Sequence, residues 1–295
     1  MTATQDSVSS LQTSVPPALS LGVVALSVAD LGRSLDYYRQ VIGLEVLEQD
    51  THRVVLGAGG EPLLDLHGQP GAATSVAAHT GLYHLAILLP GRADLGRFAA
   101  HLIREQLPVQ GASDHHVSEA IYLEDPDGHG IEVYADRSPE SWAWQGGQVK
   151  MDTRAADIGS IVASAGQDTA WRGVPAGTVM GHVHLKVADL AASRAFYEEL
   201  LGLDVVADFS AHGALFVSQG GYHHHFGLNV WQSRGGQPAQ VGEARLLSAS
   251  VFLPEAELAA LRARLLEAGH PLPATGDTFT VTDPSGNLLR FGRKV

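Results

Sequence analysis

Two spacings of apolar residues run through the chain and hand over to one another at regular places. Residues 23–28 read VVALSV and residues 182–187 read HVHLKV, and alternation at every second position predicts strands. Each strand runs into an aspartate, Asp30 or Asp189, suited to cap a helix N-terminus. A stretch with apolar residues three and four apart follows, closed by Gly43 or Gly202. The wording itself repeats, because Asp30, Ser34, Tyr38 and Gly43 return at a constant offset as Asp189, Ser193, Tyr197 and Gly202. A second strand and helix, GLYHLAILLPGRADLGRFAAHLI at 81–103, is echoed by ARLLSASVFLPEAELAALRARLL at 244–266. Each of these leads on to a strand, an Asp-Pro-x-Gly turn and a strand, at 123–134 and 281–292.

These repeats predict an α+β chain of four βαβββ modules, near 21–69, 81–136, 180–232 and 244–292. In sequence terms there is a polar, mobile leader over 1–20, a first domain at 21–136 (modules 1 and 2), a linker at 137–179 and a second domain at 180–295 (modules 3 and 4). The linker carries SWAWQGG and an amphipathic segment at 152–164. Trp142 and Trp144 are expected to pack it against a module.

Composition narrows the chemistry. The 295 residues suit two domains, with 45% apolar residues for their cores. A formal net charge of −13 argues against nucleic acid and anionic membranes as partners. No stretch is long and apolar enough to span a bilayer, and the first residues lack the pattern of a signal peptide. There is no cysteine, which removes disulfides, thiolate metal sites and cysteine nucleophiles, and fits a cytoplasmic protein.

Residues 115–132, HHVSEAIYLEDPDGHGIE, carry the most specific motif. His115, Ile121, Tyr122, Asp125, Pro126, Gly128 and Glu132 fill the positions of the extradiol ring-cleaving dioxygenase signature; Ser113 departs from its usual choice two residues before the histidine. With its four modules, the chain resembles the vicinal oxygen chelate superfamily and, within it, type I extradiol dioxygenases of the bacterial catechol 2,3-dioxygenase kind. The resemblance implies that paired modules curl into two glyoxalase/dioxygenase-like open barrels. It implies ligand positions on the first strand of a module, seven residues before the strand–helix junction, and on its last strand, seven residues after the turn aspartate. Those positions hold Val23 and Asp65 in module 1, His84 and Glu132 in module 2, His182 and Asn229 in module 3, and Ser248 and Arg290 in module 4.

A lone histidine on an apolar strand is more often a packed core residue than a ligand, so agreement between modules carries the argument. Only modules 2 and 3 together complete a set, His84, Glu132 and His182. This is the two-histidine, one-carboxylate donor set of non-haem iron(II) oxygenases. The expectation is therefore that modules 2 and 3 form the metal barrel and modules 1 and 4 a barrel without metal. The resemblance implies Fe(2+), with a small aromatic diol and dioxygen as reactants. It also implies an acid–base histidine in the run GYHHHFGLNVW at 221–231. Strand alternation favours His225, on the face of Asn229, with His223 and His224 as the alternatives. Tyr122 is expected to donate to oxygens that gain charge, and His115 to hold a substrate oxygen. Relatives of this kind commonly self-associate, which leaves a homo-oligomer open. Two other functions compete: a glyoxalase-type metal-dependent isomerase or lyase, and a non-catalytic small-molecule-binding protein of the bleomycin-resistance kind.

Overall fold

A computed structural model describes residues 19–273 and 276–293. Up to residue 18, the expected leader lies outside the described residues; Leu19 is buried, and Ser20 already opens the first strand.

The strands form a seven-stranded sheet, a nine-stranded sheet and a small two-stranded ribbon. The two large sheets do not follow the sequence halves. The seven-stranded sheet joins modules 1 and 4 through the antiparallel pair Ser20–Val28 and Arg245–Leu253. The nine-stranded sheet joins modules 2 and 3 through the antiparallel pair Gly81–Leu88 and Val179–Lys186. On either side of each seam lies the last strand of the same module, parallel to its first. One plan is thus executed twice, with the module pairing the ligand inventory had suggested.

Local chemistry explains the repeated residues. Asp30 and Asp189 sit in extended backbone and accept hydrogen bonds from the amides of Arg33 and Ala192, at 3.0 and 2.8 Å. Both helices continue into a π-helical turn, at Tyr38–Ile42 and Ala195–Leu200. Gly43 then takes the left-handed conformation, with φ of 91°, as the helix ends. The repeated tyrosines reach across to the repeated turns. Tyr38 donates to Asp125 and Tyr197 to Asp283, each at 3.0 Å and fully buried. Tyr38 belongs to one sheet's module and Asp125 to the other's, so these bonds clasp the sheets together. The Asp-Pro-x-Gly turns are anchor points as well as chain reversals.

A single apolar cluster runs through both sheets, from Leu26 and Leu66 to Leu85, Ile131, Val183 and Leu289. The linker is bound down at Trp142, which is buried and donates to the carbonyls of Val117 and Arg137 at 3.2 and 3.1 Å. Trp144 is exposed, contrary to the expectation that it packs. The amphipathic segment forms a helix at Ile158–Ala163.

Candidate metal centre

The seam of the nine-stranded sheet brings polar residues to its concave face. Along GLYHLAIL, His84 and Ala86 face the opposite way from the core residues Leu85 and Ile87. Along GIEVYAD, Glu132 and Tyr134 do so against Ile131 and Val133. Val179–Lys186 presents His182, His184 and Lys186, with Val183 and Leu185 turned into the core. The ladder between the two central strands shifts register between Met180 and His182 and again between His184 and Leu185. Such irregularities re-aim side chains next to binding sites. Two glycines make room for the rings. A Cβ on Gly227 would lie 2.8 Å from the His184 ring, and one on Gly181 would strike the Tyr134 hydroxyl.

His84, Glu132 and His182 converge. Their nearest donor atoms all lie within 4.8 Å of one another, and all three residues are buried. Nε2 of His84 and of His182 approach the same Glu132 oxygen, Oε2, at 3.1 and 3.3 Å. Donors around an ion with bonds of about 2.1 Å sit about 3.0–3.4 Å apart, so both separations from Glu132 fit one. The hydrogen bonding fits too: His84 Nε2 is buried and, despite its closeness to the carboxylate, has no partner of hydrogen-bond geometry. Burial opposes the charged form of Glu132, but His182 and His84 overcome it and hold the carboxyl well below its ordinary range. Burial lowers His182 to about 4 against the pull of Glu132. Near neutrality the set is therefore one carboxylate and a bare His182 imidazole, the forms that coordinate a cation.

These residues line a cavity of about 1020 Å³, with Tyr83, Phe216 and Trp231 among its walls. Tyr122 and His115 also line it and are bonded to each other, with Tyr122 Oη 2.7 Å from His115 Nε2. His115 Nδ1 faces the carbonyl of Asp152 at 3.0 Å. A carbonyl only accepts, so Nδ1 carries a proton, and a neutral ring leaves Nε2 to accept from Tyr122, whose hydroxyl also meets the Glu132 carboxylate. The expected donation from Tyr122 to a substrate oxygen requires exchange of this bond.

His225 does not reach the cavity. Its Nδ1 is 2.9 Å from Ser218 Oγ, its ring packs beside Tyr222, and it is buried. His224 lines the cavity instead, with its ring centroid 4.1 Å from that of His182. The regular strand begins only at Phe226, so two-residue alternation does not extend back over the histidine run. A chain of contacts leads inward to His224. Asp136 Oδ1 is 2.8 Å from His223 Nε2, and His223 Nδ1 is 2.8 Å from His224 Nδ1. Asp136 is not among the residues the sequence picks out, because its contact with His223 depends on the turn before the strand. Asn229, expected at best as a weak ligand, accepts from the Trp231 amide at 3.2 Å.

The positions equivalent to the triad in the other sheet hold no such set. Asp65 is gripped by Arg53 at 2.8 and 3.1 Å, Val23 and Ser248 are half-buried, and Arg290 is exposed.

The sequence profile of the Glyoxalase/Bleomycin resistance protein/Dioxygenase superfamily matches residues 20–133 and 179–291. The catechol-2,3-dioxygenase of Bacillus subtilis (strain 168) is 42% identical over 95% of this chain and 99% of its own length. Among solved structures, one provisionally named a dioxygenase, from Bacillus subtilis subsp. subtilis str. 168, superposes with a TM-score of 0.61 at 15% identity, covering 92% of this chain and 84% of that one. Glyoxalase I from Zea mays does so with a TM-score of 0.56 at 18% identity, covering 93% and 92%. Both structures are likenesses of fold.

Proposed function

The chain belongs to the Glyoxalase/Bleomycin resistance protein/Dioxygenase superfamily and is an extradiol dioxygenase of the catechol-2,3-dioxygenase type; from that premise we propose that it holds iron(II) through His84, Glu132 and His182 and opens a catechol-like ring with dioxygen. The convergence of these three side chains on one point of a cavity wall carries the reading. Three protein donors leave coordination positions for both reactants. When bound, the ion supplies a Lewis acid for the diol oxygens and an electron-transfer partner for dioxygen.

The protein's own part is orientation and proton management. Tyr83, Phe216 and Trp231 offer faces and edges to a planar ring. His224 is the acid–base residue in this reading, in place of His225. A carboxylate only accepts, so Asp136 fixes the proton of a neutral His223 on Nε2. The bare Nδ1 of His223 then accepts from His224 Nδ1–H, which leaves His224 Nε2 as the lone pair able to take a proton from a diol. The His115–Tyr122 pair stands ready to exchange its bond for one to a substrate oxygen, a contact worth on the order of a few kcal/mol in a dry site.

The test is anaerobic loading with iron(II), followed by catechol and air. Stoichiometric oxygen uptake with a yellow ring-opened product supports the reading. Activity with zinc or nickel and no oxygen uptake would move it to a glyoxalase-type reaction.

A further inference from the structure

The strand that carries His182 ends, on the same face, in Lys186. Its side chain lines the cavity, yet the residue is only 5% exposed. The ammonium touches two backbone carbonyls, Val76 at 3.3 Å and Ala77 at 3.4 Å, both long for charge-assisted bonds of about 2.7–2.9 Å. It has three protons to give and, among the described residues, no ion-pair partner. Burial works against its charge, and the carboxylate whose field offsets this, Glu243, is itself held by His79 at 2.8 Å. Beside Lys186 in the parallel ladder stands Asn229, on the same face of a strand about 4.8 Å away. Its Oδ1 is occupied by the Trp231 amide, and its Nδ2 is buried without a partner. Lys186, with nothing adequate to accept from it, thus stands at one end of the cavity wall, and Asn229 is buried behind the lining beside it.

A buried cation kept beside an unsatisfied amide is costly unless an anion completes it. We propose that this end of the cavity receives an anionic substituent of the substrate, so that the preferred diols carry a carboxylate on the ring or on a short arm. Lys186 supplies the charge, while the diol end lies toward His84 and His182. His182 and Lys186 are four residues apart on one strand, about 13 Å between Cα atoms. An ion, an aromatic ring and a short carboxylate arm bridge such a span once both side chains reach inward. The inference rests on the diol-cleavage reading for the orientation of the ligand.

The experiment is calorimetric binding to the iron-loaded protein without oxygen, using catechol, 3,4-dihydroxyphenylacetate and the methyl ester of the latter. The wild type should bind the carboxylate about 10- to 100-fold more tightly than catechol, and the ester, which keeps the size and loses the charge, should fall back toward catechol. Lys186→Met should erase most of the carboxylate's advantage and Lys186→Arg should retain much of it. Equal binding of all three ligands by the wild type would overturn the inference, with no variant needed. A carboxylate preference equally strong in Lys186→Met would overturn it as well. The two readings fail separately: a charge-dependent preference with no oxygen uptake on any diol would remove the dioxygenase reading and leave an anion-selective aromatic site.

Discussion

The two large sheets share the seam and the order of strands beside it, yet only one gathers a donor set. In the nine-stranded sheet, the residues beside the seam are His84, Glu132 and His182, all buried around one point. In the seven-stranded sheet, the equivalents are Val23, Asp65, Ser248 and Arg290. There the carboxylate is held by a neighbouring guanidinium and the cation lies at the surface. The scaffold alone therefore does not make the site. Side-chain identity at a few positions does, together with the surrounding cavity.

Breaking this contrast gives the largest expected effect. Glu132→Ala should lose the metal and lower turnover below about one-thousandth, equivalent to several kcal/mol of lost charge stabilisation. Metal analysis and oxygen uptake check this, and normal metal content would show that Glu132 is not a ligand. Next comes the contrast inside the histidine run. His224→Ala should keep the metal and reduce turnover by about 100- to 10,000-fold, whereas His225→Ala should act mainly on stability, through the lost partner of Ser218. Steady-state rates and melting curves of the pair decide it, and the reverse ranking would return the acid–base role to His225. Smaller again are the two clasps. Tyr38→Phe and Tyr197→Phe should each cost about 1–3 kcal/mol in denaturant unfolding and leave metal content alone. The smallest effect belongs to the site's counterpart in the other sheet. Asp65→Ala releases a half-exposed Arg53 that keeps Glu48 as a partner, and should cost about 1 kcal/mol or less, with metal content unchanged.

The modules, their caps and the convergence of His84, Glu132 and His182 were legible in the sequence for a physical reason. A repeated motif fixes equivalent positions, and a ligand must occupy one of them whatever lies around it. Comparing Val23 with His182, or Glu132 with Arg290, was therefore enough to choose the modules. Alternation predicts His225 on the cavity face, whereas His224 lies there, because alternation holds only within regular strand and the run lies in the turn leading into it. Lys186 carries no signal in the sequence that separates it from an exposed strand lysine. Only the pairing of strands puts Val179–Lys186 at the middle of a sheet, where a lysine is buried. Tyr38 and Tyr197 stood out as repeats, but their long-range partners, Asp125 and Asp283, belong to contacts that no local pattern encodes.

The crosswise pairing has a consequence for how the molecule comes together. Two of the converging side chains are made early in synthesis, and the third arrives only after the intervening linker. Neither half of the polypeptide can gather the set alone, and a slip of one residue between Gly81–Leu88 and Val179–Lys186 would turn His182 away from its companions. Occupancy of the centre would thus certify assembly: a copy that retains its ion has both halves docked in the correct register, and a misjoined copy would announce itself by being metal-free.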